Sequence, residues 1–222
     1  MKRTANPSMD RLILDHLAEK YKLKEKREGI HLSTLVYCLT RSFFDQRLPI
    51  GPTDEEVMLF ALGYGLQDVL TPTDSTTPTY EKDGIVFRPD FMMKLPGTER
   101  YSEIKTTRAS LKKNLLSLPE TWVEYIMGGC YIRGVDSYEL TGLYMMGSYS
   151  PPFPIIYSET LSFEEGELLT NWIRLTNRKE AYEASLGDDK PPTPFQYCKD
   201  WECKSCRYRL VCDSIMMVGG KE

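Results

Sequence analysis

The chain has 222 residues, 41% hydrophobic and 27% charged, with a formal net charge of −4 from 28 basic and 32 acidic residues. Those proportions exclude a disulfide miniprotein, a collagen-like repeat and a disordered chain, and the charge balance argues against nonspecific coating of nucleic acid. Six cysteines behind a polar N-terminus without a secretory apolar stretch point to a reducing, cytoplasmic setting, where clustered cysteines hold metal more often than they form disulfides. No apolar run approaches the roughly 20 residues that span a bilayer, so no membrane is expected as a partner.

In chain order, Leu12, Leu14, Leu17 and Tyr21 give Met9 to Tyr21 near-helical spacing. A basic stretch from Lys20 to Arg27 follows, and Gly29 breaks it. His31 to Gln46 reads as one helix with Ser33 as N-cap. After a turn at Pro49, Gly51 and Pro52, Thr53 and Glu56 form a capping box. The helix it starts, Asp54 to about Leu70, would bury Val57, Leu59, Phe60, Leu62, Leu66 and Val69. Thr71 to Pro78 is a loop. Tyr80 to Glu81 and Ile85 to Met93 read as strands joined by an Asp83-Gly84 turn, with a further strand over Arg100 to Thr106 after a turn at Leu95, Pro96 and Gly97. Trp122 to Tyr131 is helical, Ser137 to Ser148 a strand ended by Pro151 to Pro154, and Phe163 to Ala184 a long helix. Lys190 to Pro194 links to a cysteine-rich tail. This order describes an α/β protein with three parts: an N-terminal helix and basic linker (1–30), a core (31–195) and a tail (196–222).

The sharpest local signal is Pro89-Asp90 followed by Glu103-Ile104-Lys105. On a strand, Glu103 and Lys105 share a face, and Asp90 on a neighbouring strand of a hairpin would meet them. Two carboxylates suit Mg²⁺ or Mn²⁺, the backbone carbonyl of Ile104 adds an oxygen donor, and a lysine offsets charge developing on a phosphate. The plain reading makes Asp90 a turn cap and the other two solvated strand charges, but the apolar neighbours Val86, Phe87, Phe91 and Met92 are unusual company for those. From Lys94 to Lys113 there are six basic residues against two acidic ones, and Arg108, Lys112 and Lys113 are candidates for phosphate contacts.

The tail reads Cys198-x4-Cys203-x2-Cys206-x5-Cys212. The C-x2-C unit lets two thiolates reach one centre. A local zinc site could use Cys198, Cys203, Cys206 and Cys212. Alternatively, Cys203, Cys206 and Cys212 could be joined by the distant Cys38. Cys130 reads as a buried core residue.

Together, Tyr37-Cys38-x-x-Arg41, Pro89-Asp90, Glu103-Ile104-Lys105-Thr106-Thr107 and Cys203-x2-Cys206-x5-Cys212 resemble the RecB-like branch of the PD-(D/E)xK nucleases. The nearest likeness is to the iron–sulfur exonucleases of CRISPR adaptation (the Cas-four family) and their phage and viral relatives. The resemblance implies a central mixed sheet flanked by helices, with a 4Fe–4S cluster joining an N-terminal helix to the tail. It makes Asp90 and Glu103 ligands of Mn²⁺ or Mg²⁺ and Lys105 the catalytic lysine. It makes Cys38, Cys203, Cys206 and Cys212 cluster ligands, with Cys198 as competitor for the fourth place. It implies an exonuclease acting on single-stranded DNA ends or overhangs in a prokaryotic or virally infected cytoplasm, with protein partners in DNA processing or CRISPR adaptation. Where the family has a helical His ahead of the Asp, this chain has Gln67, a neutral ligand candidate. Where the family has a Gln and a Tyr four apart, it has Tyr125, a DNA-contact candidate, and Gly129. Two other readings differ in kind: a non-catalytic or weakly active iron–sulfur protein that binds DNA ends, and a zinc-stabilised interaction module.

Overall fold

The structure is a computed structural model, and it describes residue 5 and residues 7–20, 28–71, 77–95, 98–145 and 154–219. Most of the basic stretch up to Arg27, part of the Thr71–Pro78 loop, the Pro96-Gly97 turn and the end of the strand expected to reach Ser148 lie outside these.

Two sheets organise the chain. The larger has the order β4 (Phe91–Leu95), β5 (Thr98–Thr107), β6 (Ser137–Tyr144), β7 (Ile155–Ser162). β5 and β6 are parallel, with Glu103 opposite Leu140, and the other pairs are antiparallel, so the sheet is mixed as expected. The parallel pair needs a crossover, supplied by α5 (Leu111–Leu116) and α6 (Glu120–Arg133). The smaller sheet sets β3 (Ile85–Phe87) between β1 (Ile30–His31) and β2 (Tyr80–Lys82). Asp83 and Gly84, both at positive φ, make the expected tight turn between β2 and β3.

The helices are α1 (Pro7–Lys20), α2 (Leu32–Val36), α3 (Leu39–Arg47), α4 (Asp54–Leu70), α7 (Glu165–Gly187), α8 (Asp200–Lys204) and α9 (Arg209–Gly219), with α5 and α6 in the crossover. α6 packs between α2 and α7, and its two central glycines allow the close approach. A Cβ on Gly128 would stand 2.8 Å from Leu32, and one on Gly129 2.5 Å from the Phe87 ring. Cys130 on the same helix is a core residue, as its sequence context suggests.

Three expectations are corrected. The helix expected over His31–Gln46 breaks at Tyr37-Cys38, where Tyr37 is extended and Cys38 is not helical; Cys38, not Ser33, caps the second half, its Sγ accepting from the Arg41 N–H at 3.4 Å. The strand expected over Ile85–Met93 divides at Arg88-Pro89-Asp90, so β3 and β4 belong to different sheets. Pro89, buried and without an N–H, cannot continue a ladder. The capping box of α4 forms as read, with Glu56 Oε2 accepting the Thr53 N–H at 2.9 Å and Thr53 Oγ1 the Glu56 N–H at 3.2 Å. Its apolar face does not bury as read. Val57 is buried and Leu66 half-buried, but Leu59, Phe60, Leu62 and Val69 are exposed. α4 rests on β5 and on α1, a helix with no buried residue, so no second apolar layer covers that face among the described residues.

The strands of Ile155–Ser162 and the helices of the tail escape a sequence reading, as does α5. β7 alternates half-buried and exposed residues as an edge strand does. Among the described residues, no helix is long and apolar enough to cross a membrane.

Replacing Gly129 with Ala would drive a methyl into the Phe87 ring. The expected cost is about 1–3 kcal/mol, read as a lower urea midpoint at unchanged m-value; unchanged stability would mean that ring is free to move.

Candidate active site and cysteine pocket

β5 carries Glu103 and Lys105 two residues apart, hence on one face. The Lys105 Nζ donates to Glu103 Oε1 at 2.5 Å and stands 5.1 Å from the centre of the Tyr125 ring on α6. Tyr125 also packs edge-on against Phe87. Asp90 sits in the bend just before β4, whose pairing with β5 begins at Phe91–Ser102. One step past that ladder's end, the Asp90 carboxylate takes the place of a partner strand. Its Oδ2 accepts the Ile104 N–H at 2.8 Å, and its Oδ1 accepts from the Gln67 amide of α4 at 3.1 Å. In a strand the N–H and C=O of one residue leave by the same edge, so the Ile104 carbonyl faces the Asp90 side. The structure therefore brings Asp90, Glu103, Lys105, Ile104 and Gln67 together.

The electrostatics are severe. Glu103 is 2% exposed, and its Oε2 has no hydrogen-bond partner. Burial, reinforced by the Asp90 charge and opposed by Lys105, pushes the Glu103 carboxyl up to about 8. Burial also raises Asp90, against the pull of Lys105 and the Ile104 N–H. Burial alone would lower Lys105, but the two carboxylates outweigh it and hold the ammonium above its usual range. The set amounts to two carboxylates, one ammonium and one unmet buried oxygen, a pattern that suits an added cation.

Among the described residues, no three His, Cys, Asp or Glu side chains close on a point that would hold a single ion. A hard ion such as Mg²⁺ does not need three. It is commonly held by one or two carboxylates and keeps several waters, and here the Gln67 amide and the Ile104 carbonyl add neutral oxygens.

The cluster borders an open cleft of about 290 Å³ lined by Tyr37, Leu59, Phe60, Gly63, Tyr64, Gln67, Ile104, Lys105, Thr106 and Trp122. The aromatic residues of this cleft were not singled out as site residues by sequence. The signal was present: Phe60, Tyr64 and Gln67 stand at i, i+4 and i+7, on one face of α4. Of the DNA-contact candidates, Arg108 is exposed just past β5, and Lys112 and Lys113 are exposed on α5, rather than joining the buried cluster. A larger cavity, about 970 Å³, lies around Arg133, whose guanidinium packs over Tyr101 at 3.9 Å; Asp136, Glu139 and Glu165 also line it.

The tail folds back onto the helices that begin the core. Arg207 pairs with Glu56 at 2.9 Å and Asp45 at 2.5 Å. Tyr208 stacks on Phe44 and donates to the Leu48 carbonyl at 3.2 Å. Buried Glu202 accepts the Cys38 N–H at 2.9 Å. These contacts place Cys38, Cys198, Cys203, Cys206 and Cys212 around one pocket. Cys198 Sγ and Cys203 Sγ are 3.3 Å apart, and all the cysteines are free thiols. Burial and then neighbouring groups of the pocket raise the Cys38 thiol, and likewise push Cys212 up to about 11.

Glu103 takes its proton at higher pH in the folded chain than its ordinary 4.5. The folded protein thus binds more protons than the unfolded one between about pH 4.5 and 8, and it loses stability as pH rises through that window. Without added metal, the melting temperature is expected to fall from pH 5 to pH 8, and Glu103→Gln to flatten that fall. An unchanged slope in the variant would remove Glu103 as its source.

No protein-family model matches the chain, and no curated protein matches it. Among solved structures, the fold is similar to that of SSO0001, with a TM-score of 0.56 at 17% identity over 92% of this chain and 96% of that one. Looser likenesses are an alkaline exonuclease (LHK-Exo) from Laribacter hongkongensis (TM-score 0.47, 9% identity, 72% of this chain and 90% of that) and a phage-related exonuclease from Haemophilus somnus 129PT (0.45, 9%, 74% and 98%). At such identities, what this chain shares with SSO0001 is the fold.

Proposed function

We propose that the protein is a metal-dependent DNA exonuclease of the RecB-like type, acting at single-stranded ends or overhangs and carrying a structural 4Fe–4S cluster like the iron–sulfur exonucleases of CRISPR adaptation. The observation that carries the reading is the meeting of Asp90, Glu103 and Lys105 around an unpartnered, buried Glu103 oxygen. Asp90 and Glu103, with the Ile104 carbonyl and the Gln67 amide, would hold Mn²⁺ or Mg²⁺. An ion there supplies positive charge to the phosphate and acidifies water for attack. Lys105, clamped by Glu103 and resting on Tyr125, holds its ammonium where negative charge grows as the phosphodiester is cleaved. Gln67 and the Ile104 amide hold Asp90 in one orientation. Arg108, Lys112 and Lys113 would meet backbone phosphates beyond the reacting one.

The cysteine pocket supports the second half of the reading. Its thiols come from both ends of the chain and line one pocket without three of them closing on a single point. The resemblance of Cys38 and Cys203-x2-Cys206-x5-Cys212 to the iron–sulfur exonucleases favours a polynuclear centre, in which each cysteine would meet a different iron, over one tetrahedral zinc. Cys203, Cys206 and Cys212 would hold the cluster with Cys38, and Cys198 is the competitor. Its role would be a staple between the tail and the start of the core, worth on the order of 4–5 kcal/mol on the cross-link argument.

With Mn²⁺, the purified protein is expected to shorten single-stranded DNA, and Asp90→Ala or Lys105→Ala to slow this at least about 100-fold. Cleavage that survives Asp90→Ala sinks the nuclease reading. Salt-sensitive DNA binding without cleavage would favour an end-binding protein. Anaerobically purified protein should be brown and contain iron, and Cys38→Ser should lose most of it. Iron retained in that variant but lost in Cys198→Ser would make Cys198 the fourth ligand, and zinc in place of iron would favour the interaction module.

A further inference from the structure

Four aromatic side chains from three separate elements line the cleft beside the carboxylates: Tyr37 from the break between α2 and α3, Phe60 and Tyr64 from α4, and Trp122 from the start of α6. We propose that this wall is a stacking site for the base of one unpaired nucleotide adjoining the scissile phosphate, and that it restricts the enzyme to unpaired ends. The proposal deepens the nuclease reading and rests on it.

Size is the first argument. At about 290 Å³ the cleft is at the small end of ligand pockets, roughly 300–1,000 Å³. A cleft of that size matches about one nucleotide rather than a base pair with both its strands. A paired base would first have to leave its stack, at a cost that an unpaired one does not meet.

The chemistry of the lining is the second. The Phe60 and Tyr64 rings stand 6.3 Å apart and tilted by 44°, and Phe60 keeps 37% of its surface exposed, as Leu59, Leu62 and Val69 of the same helix are exposed. A solvent-facing phenylalanine on a convex surface would be unremarkable. This one lines a concavity whose other walls are Gln67, bonded to Asp90, and Lys105, paired with Glu103. Aromatic faces beside cationic and metal-holding groups are the combination that binds single-stranded nucleic acid, rings for bases and charge for phosphates. Stacking tolerates any base, so the site would select for an unpaired strand and not for sequence.

Gly63 completes the wall. Nothing lies within 4 Å of where its Cβ would be, so a side chain can be started there on the cleft wall without a clash. Gly63→Leu should therefore obstruct base entry while leaving the melting temperature unchanged or raised, because Gly is the poorer helix former.

The test uses single-stranded oligodeoxynucleotides carrying 2-aminopurine at either end, with no added divalent metal so that nothing is cut. Wild-type protein should quench the fluorophore at one end of the single strand but not at the end of a blunt duplex. Phe60→Ala and Gly63→Leu should weaken binding about 10-fold, Phe60→Tyr should restore it, and an abasic end should bind wild type about as poorly as the base-bearing end binds Phe60→Ala. Equal quenching by wild type and both variants, or equal binding of abasic and base-bearing ends, would overturn the stacking site. Adding Mn²⁺ separates the two readings. End-specific quenching without cleavage sinks the nuclease and keeps the stacking site; cleavage that is indifferent to Phe60→Ala and to the abasic end does the reverse.

Discussion

Burying the Glu103 carboxylate takes an ion out of water at a cost of several kcal/mol, and its one ion pair with Lys105 returns only part of that. Among the described residues, its second oxygen makes no geometric hydrogen bond, and the facing Asp90 carboxyl raises its proton affinity further. Such an arrangement is poor for stability and well suited to recruiting a cation, which would relieve both carboxylates at once. The same imbalance explains the neighbours. Lys105 is held above its ordinary proton affinity because it faces two carboxylates, and the Tyr125 ring lies 5.1 Å from the ammonium. The cavity balances its charge by Glu103 holding a proton up to about pH 8 or by taking up a cation, and perturbed carboxyls of that kind collect at functional sites.

What delivers Asp90 to that cavity is the failure of a strand. Pro89 ends β3 and turns the chain into a different sheet, so Asp90 arrives where the β4–β5 ladder has not yet begun. Its carboxylate then satisfies the Ile104 N–H that no strand reaches. The hydrogen bond that a β-partner would have made is converted into a fixed orientation for the Asp90 side chain. Gln67 fixes the other oxygen from α4, so the acid is held by α4 and β5, two elements that β2, β3 and β4 separate in the chain.

Local signals were legible wherever one short segment decides its own structure. The Thr53–Glu56 capping box, the Asp83-Gly84 turn and the alternation that puts Glu103 and Lys105 on one face needed no long-range information. The break at Tyr37-Cys38 was not legible, because its cause lies elsewhere in the chain. The backbone groups that a continuous helix would have bonded internally are taken by Arg178, which donates to the Leu35 and Tyr37 carbonyls, and by Glu202, which accepts the Cys38 N–H. The exposed face of α4 was misread for a related reason. Apolar residues at helical spacing promise burial against something, and hydropathy alone does not distinguish a partner helix from an open cleft.

That break has a consequence for how the two sites relate. Tyr37 lines the cleft beside Lys105, and Cys38 lines the cysteine pocket. They are consecutive residues, about 3.8 Å apart at Cα, on a segment whose carbonyls and amide are held by Arg178 and Glu202. Tyr37 also packs edge-on against Trp201, on the short helix that carries Glu202 and Cys203. A segment tied down this tightly cannot move one of its side chains freely of the other. Removing the tail's hold on Cys38 would therefore loosen the cleft wall as well as the pocket. The folded-back tail is thus part of the structural support of the site, although none of its described residues lines the cleft.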